Sequence, residues 1–460
     1  MTIRLASDAN PAVTVPIVIV GAGACGLVAA LRAVEAGGEV LVLERDAVPS
    51  GSTALSSGMI PAAGTVRQKA RGVTDSAEGF AGDIQGKSKG RSDPVILKAV
   101  TEASGRTVDW LNGMPEIDLQ LVEGFLYPGH SVMRMHAPPD RTGRSLIGML
   151  HAAATARQID IMTGATVTDL YARDDGHVTG VRIVRPDGTA EDIGCEALIL
   201  ACNGFGGNPD MVAEHIPEMS SADYFGHPGN QGDAVTWGLT LGGEAKHMSA
   251  YQGHGSVATP HGILITWALM MEGGIQVNAA GHRFSNEHAG YSEQAVSVLA
   301  QPGGVAWNIY DARRHQLGLD FDDYRAALAQ GAVREADDIA GLAETIGVPV
   351  EALRRSVAET AQPGPDRFGR RMGLQAPLEA PFYAVKVTGA LFHTQGGLRV
   401  DANGRVLRRG TDRPIGNLYA GGGAACGVSG PFVDGYLSGN GLLTAVTLGN
   451  LAGSHAARSR

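Results

Sequence analysis

Residues 17–44 open on Ile17-Val18-Ile19-Val20-Gly21-Ala22-Gly23-Ala24-Cys25-Gly26 and close on Val40-Leu41-Val42-Leu43-Glu44. Four β-branched apolar residues that stop at a glycine predict a buried strand and a tight turn. Leu27, Ala30, Leu31 and Val34 then recur at helical spacing as far as Gly37-Gly38, where the helix ends. The second apolar run is another buried strand. The segment is therefore one βαβ unit of about thirty residues, and a parallel sheet begins here.

Inside the turn, residues 21–26 form a G-x-G-x-x-G pattern. Its glycines serve a tight turn, close approach of a pyrophosphate to the backbone, and packing of helix on strand. Glu44 stands about twenty residues further on, at the end of the second strand, where a carboxylate accepts from ribose hydroxyls and disfavours a 2′-phosphate. Strand, turn, helix and acid together predict a dinucleotide site built on Gly21, Gly23, Ala24, Gly26 and Glu44. The next loop, Gly51-Ser52-Thr53-Ala54-Leu55-Ser56-Ser57-Gly58, supplies small hydroxyl donors (Ser52, Thr53, Ser56, Ser57) before Gly58, where a bulky ring system and its pyrophosphate would lie.

Outward from this unit, residues 165–200 alternate and are cut by Asp174-Asp175-Gly176 and Pro186-Asp187-Gly188, which predicts an antiparallel meander ending in the buried strand Ala197-Leu198-Ile199-Leu200-Ala201. Composition shifts after residue 230, and the runs Ile339–Ile346 and Val350–Ala361, split by Gly347-Val348-Pro349, read as a helical hairpin. Asn417-Leu418-Tyr419-Ala420 returns to strand and ends in three glycines, and Asn440-Gly441-Leu442 opens a final apolar helix. The expected organisation is a dinucleotide-binding domain in two pieces, residues 1–230 and 375–460, around a second domain at 231–374.

Of the 460 residues, 65 are glycine and 18% are charged, a glycine content about twice the usual ~7%. The glycines have no G-X-Y period and cluster after apolar runs, as chains do where they approach phosphates. Net charge is −10, and no Lys/Arg run exceeds a pair such as Arg408-Arg409, which argues against nucleic acid or an anionic membrane and for a small-molecule partner. Cys25, Cys195, Cys202 and Cys426 are far apart, so no zinc ribbon, haem-attachment site or disulfide framework is expected, and no metal. A reducing cytoplasm is the expected compartment. The first 15 residues carry no leader pattern, and no apolar run reaches the ~20 residues of a membrane span.

These motifs resemble the fumarate reductase/succinate dehydrogenase flavoprotein superfamily, including the 3-ketosteroid dehydrogenases, over nearly the whole chain. The resemblance is carried by residues 21–26 and 51–58, by Cys202-Asn203-Gly204-Phe205-Gly206-Gly207-Asn208, by Asn278 to Glu287, and by Leu418 to Gly441. It implies an α/β fold: a Rossmann-like (GR2-type) FAD-binding domain with an inserted α+β substrate, or capping, domain. The implied cofactor is FAD, with Gly206, Gly207 and Gly422 near the flavin. Asn440, Gly441 and Leu442 would place a helix N-terminus at its pyrimidine, which stabilises an anionic reduced flavin. Ser52 stands where some succinate-oxidising members carry a flavinylated histidine, so the FAD is expected to be non-covalent.

On the substrate side, Asn278 to Glu287 is similar to the family's N-x-x-G-x-R-F-x-N-E segment, in which Arg283 and Glu287 are expected to form a structural ion pair. Four residues beyond that glutamate, fumarate reductases have an arginine proton donor, and this chain has Tyr291. Where dicarboxylate reductases clamp substrate with an arginine before L-G-G-N, it reads Gly435-Tyr436-Leu437-Ser438-Gly439-Asn440; a carboxylate would lose its bidentate partner there. Gly423 replaces a glutamate of the succinate branch. Tyr436-x-Ser438-Gly439 looks like the Δ4-(5α) type of 3-ketosteroid dehydrogenase.

The resemblance thus implies dehydrogenation of a cyclic ketone, a 3-ketosteroid or a smaller oxo-cycloalkane: the carbonyl is polarised, an α-proton removed and the β-hydrogen passed as hydride to flavin N5. Tyr436 and the Gly441 amide would hold the carbonyl oxygen, Tyr291 would exchange the proton with Ser438 as relay, and His393 and His254 would contact substrate. Which tyrosine is base and which is donor stays open. Tyr127, His130 and His136 are candidates for the pocket mouth on no spacing argument. The alternatives are a fumarate-reductase-like ene reductase or carboxylate dehydrogenase, and an FAD-dependent hydratase or isomerase without net redox change. Electrons would leave through a diffusible acceptor or a separate redox partner; oligomeric state is not legible.

Overall fold

The computed structural model describes residues 2–124 and 126–459. Its chain forms two compact units, Met1–Pro217 with Gly226–Tyr251 and His393–Arg460, and Glu218–Phe225 with Gln252–Phe392.

The first unit is built on a nine-stranded sheet. Its main path runs Thr2–Leu5, Thr166–Ala172, Val178–Val184, Ala190–Leu200, Val13–Val20, Val40–Leu43 and Asp160–Met162, and Pro414–Ala420 pairs with both Ala190–Leu200 and Arg405–Leu407. The βαβ unit is where the sequence puts it: Val13–Val20 lies parallel to Val40–Leu43 with Val20 opposite Leu43, and the helix Ala24–Glu35 joins them. Ile17, Val18 and Ile19 are fully buried, as a run apolar on both faces requires. The meander is present as the antiparallel strands Thr166–Ala172, Val178–Val184 and Ala190–Leu200.

Four parallel neighbours in this sheet, Pro414–Ala420, Ala190–Leu200, Val13–Val20 and Val40–Leu43, end side by side. Their next residues are Gly421, Ala201, Gly21 and Glu44, and the amides of the first three continue the ladder onto Leu200, Val20 and Leu43 at 3.0, 2.9 and 2.7 Å. Ligands of open α/β sheets bind outside such carboxyl ends. The last helix, Asn440–Arg458, packs along Ala24–Glu35. Glycine makes that approach possible: a Cβ at Gly449 or Gly453 would collide with the carbonyl oxygens of Cys25 and Ala29.

The second unit has a seven-stranded sheet whose main path is Ile263–Leu264, Tyr251–Ala258, Phe382–Thr394, Val305–Asp311 and Ile275–Val277. The hairpin of helices is there, Ile339–Ile346 and Val350–Ala358, with Gly347 left-handed at φ 71° between them. The insertion expected at 231–374 lies later, at 252–392, with a short outlying piece at 218–225. Residues 231–251 stay with the first unit because helix Asp233–Thr240 buries Ala234 and Trp237 in its core. The C-terminal limit moves because Phe382–Thr394 pairs over seven residues with Val305–Asp311.

No helix among the described residues is long and apolar enough to cross a membrane, and no group of three or more His, Cys, Asp or Glu among them is placed to hold a metal ion.

Candidate active site

At the end of the first strand Gly21 has φ 103°, and a Cβ there would lie 2.7 Å from the Ala201 carbonyl oxygen. A Cβ at Gly26 would fall inside the Gly21 carbonyl oxygen. Both glycines are demanded by the protein's own packing. Gly23 differs: its φ is an ordinary −75°, and a Cβ would meet only the Thr53 hydroxyl at 3.4 Å. The bare backbone there is accounted for by a ligand that approaches it closely, at the N-terminus of helix Ala24–Glu35, which has no acid in its first turn. The Thr53 hydroxyl accepts from the Ala24 amide at 3.0 Å and ties the serine-rich segment to that helix end.

Glu44 is buried and accepts from the Ala22 amide at 2.8 Å and the Asp46 amide at 2.9 Å, one on each carboxylate oxygen. Each oxygen retains a lone pair for a ribose hydroxyl. The segment read as a loop at 51–58 starts with a short helix, Gly51–Ala54. Ser52 accepts from Asn230 Nδ2 at 2.8 Å and the His227 amide at 3.2 Å. Ser56 donates to the Thr53 carbonyl at 2.7 Å and accepts from the Gly58 amide, while Ser57 is exposed. Gly206 is buried in the turn whose next residue, Gly207, donates to the Asn230 carbonyl. Gly422, at φ 59°, lies over Cys25.

The second group of expected residues gathers at the N-terminus of the last helix. Tyr436 is 6% exposed, and its hydroxyl lies 3.4 Å from Nε2 of His393, ring against ring edge at 5.5 Å. A Cβ on Gly441 would meet the His393 ring at 2.7 Å, so the imidazole rests on the first turn of this helix. Burial pushes the Tyr436 phenol well above its ordinary range, opposed by the Gly441 and Gly439 amides that face its oxygen. Burial likewise holds His393 down to about 4, neutral at physiological pH. Ser438 is buried, and its carbonyl accepts from His130 Nε2 at 2.9 Å. Asn440 is fully buried; its amide nitrogen donates to Ser429, and its Oδ1 has no hydrogen-bond partner among the described residues. An orphaned acceptor at the end of a helix suits a ligand N–H.

In the second unit Tyr291 begins the helix Tyr291–Leu299, and its ring stacks on His254 at 4.8 Å. Trp267 and Phe392 complete an aromatic box around that histidine, at 5.7 and 5.5 Å. His254 is 5% exposed, and burial lowers it to about 3. The Ser256 amide donates to its Nδ1 at 3.2 Å, which fixes the proton on Nε2. Arg283 and Glu287 form the expected pair at 2.6 Å, buried and in irregular backbone instead of a helix, and buried Arg370 with the half-buried Glu359 and Asp366 extends it into a cluster.

Tyr127, His130 and His136, named from the sequence as candidates for the pocket mouth, each have a defined partner, and the pairing of Gln395 with Ser429 escaped the sequence. His130 supports Ser438 across 308 residues, held in turn by Arg134, whose guanidinium is buried between Asp75, at 2.7 Å, and Asp83. His136 instead bonds Thr65 and the Arg134 carbonyl and is part of the packing. Tyr127 bonds the Met59 sulfur. Gln395 and Ser429 stand behind His393. Only the neighbouring His393-Thr394-Gln395-Gly396-Gly397 motif marked that place in the sequence.

Cradle, acidic ribose acceptor and second helix N-terminus together define a dinucleotide-binding flavoprotein. A family model described as an FAD binding domain matches residues 16–442. The chain is 30% identical over 451 residues to the fumarate reductase (cytochrome) of Shewanella frigidimarina, covering 97% of this chain and 77% of that one. Among solved structures it is similar to the open conformation of a flavocytochrome c3 fumarate reductase (TM-score 0.82, 28% identity, 98% of this chain and 80% of that one). It also shares the fold of the 3-ketosteroid-Δ4-(5α)-dehydrogenase of Rhodococcus jostii RHA1 (TM-score 0.77, 24% identity, all of both chains). The chain belongs to the FAD-binding family that contains the fumarate reductase flavoproteins. It is an FAD-dependent oxidoreductase of the class that acts on CH–CH groups, and the residues at Gly21, Gly23, Gly26, Glu44 and Asn440 fit that cofactor.

Proposed function

We propose that this enzyme dehydrogenates a cyclic ketone at its α,β bond, a 3-ketosteroid or a smaller oxo-cycloalkane. The observation that carries the reading is Tyr436: a buried phenol, kept protonated by its surroundings, packed against a neutral imidazole at the N-terminus of a helix. Such a group donates to a developing enolate oxygen and offers no charge to a carboxylate. The Gly441 amide is the second donor to that oxygen. Tyr291 exchanges the α-proton, with Ser438 as relay, and His254 and His393 bind the substrate as neutral rings. Bound FAD supplies the two-electron acceptor.

The runner-up is reduction of an enoate or its reverse, supported by the 30% identity to a fumarate reductase. Anaerobic mixing separates the two: cyclic ketones bleach the flavin on the first reading, saturated acids such as succinate on the second. Product formed without bleaching would replace both by a hydratase or isomerase.

Non-covalent binding of FAD is part of the proposal, because position 52 carries a hydroxyl already engaged by Asn230 and His227. Acid denaturation is expected to release all the yellow colour into the supernatant, and colour kept by the precipitate would refute it. A diffusible electron acceptor or a separate redox partner is proposed, and a reducing cytoplasm suits four free cysteines.

A further inference from the structure

Behind His393 runs a buried chain of hydrogen bonds in the first unit. Asn440 Nδ2 lies 3.0 Å from Ser429 Oγ, Ser429 Oγ lies 2.7 Å from Gln395 Oε1, Gln395 Nε2 lies 3.2 Å from His393 Nδ1, and His393 Nε2 lies 3.4 Å from the Tyr436 hydroxyl. Gln395, Ser429 and Asn440 are 4%, 1% and 0% exposed, so water does not compete along the Asn440–Ser429–Gln395 stretch, and His393 at its end is half-buried. The Gln395 backbone is pinned at both ends, its amide to the Ala250 carbonyl at 2.7 Å and its carbonyl to the Gly427 amide at 2.8 Å.

Two groups face Nδ1 of His393 and ask opposite things of it. The Thr394 carbonyl, at 3.3 Å, needs a proton on Nδ1; the Gln395 amide nitrogen, at 3.2 Å, needs a lone pair. The remainder of the row decides between them. A serine hydroxyl has one proton, and Ser429 gives it to Gln395 Oε1 and accepts from Asn440. The carboxamide of Gln395 therefore presents its nitrogen to His393. With Nδ1 accepting, the imidazole proton sits on Nε2 and is given to the oxygen of Tyr436, whose second lone pair takes the Gly439 amide, while the Gly441 amide that also faces it is left for the substrate oxygen.

We infer that Gln395, oriented by Ser429, is a positioning residue that fixes His393 as the Nε2–H tautomer, so that Tyr436 receives a hydrogen bond from His393 and does not surrender its own proton to it. The opposite tautomer would take the Tyr436 proton and cost the carbonyl its donor. The consequence for catalysis rests on the proposed role of Tyr436; the tautomer itself does not.

The test uses the FAD-loaded enzyme labelled with ¹⁵N-histidine, with the His393 signals assigned by comparison with His393→Gln. In the wild type, Nε2 is expected to be the protonated nitrogen and Nδ1 the bare one. Gln395→Met, similar in volume but without the donor, is expected to move the proton to Nδ1, where the Thr394 carbonyl accepts it. It should lower kcat for the ketone by roughly 10- to 100-fold, by analogy with the partners that orient metal-bound imidazoles, with KM and flavin content unchanged. Gln395→Glu, an acceptor only, should give the same tautomer. A wild-type His393 protonated on Nδ1 overturns the inference, as does a Gln395→Met enzyme whose tautomer is unchanged. The wild-type spectrum decides even if neither variant folds. Failure of every ketone to react, with the tautomer as expected, counts against the proposed substrate and not against Gln395.

Discussion

Replacing Tyr436 by phenylalanine removes one oxygen and leaves the ring in its place against His393, 5.5 Å away at 71°. Two energies follow. The Nε2–H of His393 loses its acceptor in a buried setting, which costs about 1–3 kcal/mol of stability. In the reaction the developing enolate oxygen loses one of two donors, the other being the Gly441 amide. Loss of one oxyanion-hole donor raises a barrier by about 2.7–4 kcal/mol, or roughly 100- to 1,000-fold in kcat. Retention of the helix-end amide points to the lower part of that range, about 100-fold. The assay is anaerobic single-turnover bleaching of the flavin by a panel of cyclic ketones, with flavin content measured on the same samples, since the cradle at 21–26 and Glu44 does not include Tyr436. A Tyr436→Phe enzyme that bleaches within about threefold of the wild-type rate at full flavin content would refute the role given to this hydroxyl.

Tyr291→Phe keeps the ring that stacks on His254 at 4.8 Å but has no exchangeable proton. It should slow turnover by at least about 100-fold with FAD retained, and a normal rate in the same bleaching assay would remove Tyr291 from proton exchange. Gly26→Ala drives a methyl into the Gly21 carbonyl oxygen. The protein should purify with little flavin and lose at least ~1–3 kcal/mol in denaturant unfolding, and a full flavin complement would contradict the cradle. Acid is the fourth test. Burial, as the first cause, holds His130, His136, His288 and His393 down to about 4 and His254 to about 3 in the folded chain, against about 6.5 when unfolded. Between those values the unfolded chain binds protons that the folded chain does not, so stability is present above pH ~6.5 and is lost as pH falls toward 4. Melting scans should show a steep fall of Tm across that window, and a flat profile would mean these histidines are not buried as neutral rings.

What could be read from the sequence follows from range. The βαβ unit at 17–44, the meander at 165–200 and the hairpin of helices after residue 339 are set by periodicity and turn residues within some thirty positions, and each is found. The fingerprint glycines were readable for the same reason, although only the structure separates Gly21 and Gly26, which packing demands, from Gly23, which a ligand explains. Domain limits were less legible because Phe382–Thr394 looks like any buried strand; its assignment depends on pairing with Val305–Asp311, some eighty residues earlier. Tyr291 and Tyr436 were singled out through motifs on either side of them. Gln395, Ser429 and His130 act through partners 2, 34 and 308 positions away, and no periodicity records which buried polar side chain will meet which.

The contact of the last helix with the first has a consequence for biosynthesis. Glycines 449 and 453 seat Asn440–Arg458 on the very helix whose N-terminus forms the phosphate cradle. The sheet end is likewise completed by Pro414–Ala420, far along the chain. A nascent polypeptide that ends before Pro414 already owns the glycine fingerprint and the ribose acid, yet the strand beside them in the sheet and the helix that backs the fingerprint helix are still to be translated. Cofactor loading must therefore follow synthesis of the 440s, and arrested chains shorter than that should emerge colourless even in excess FAD.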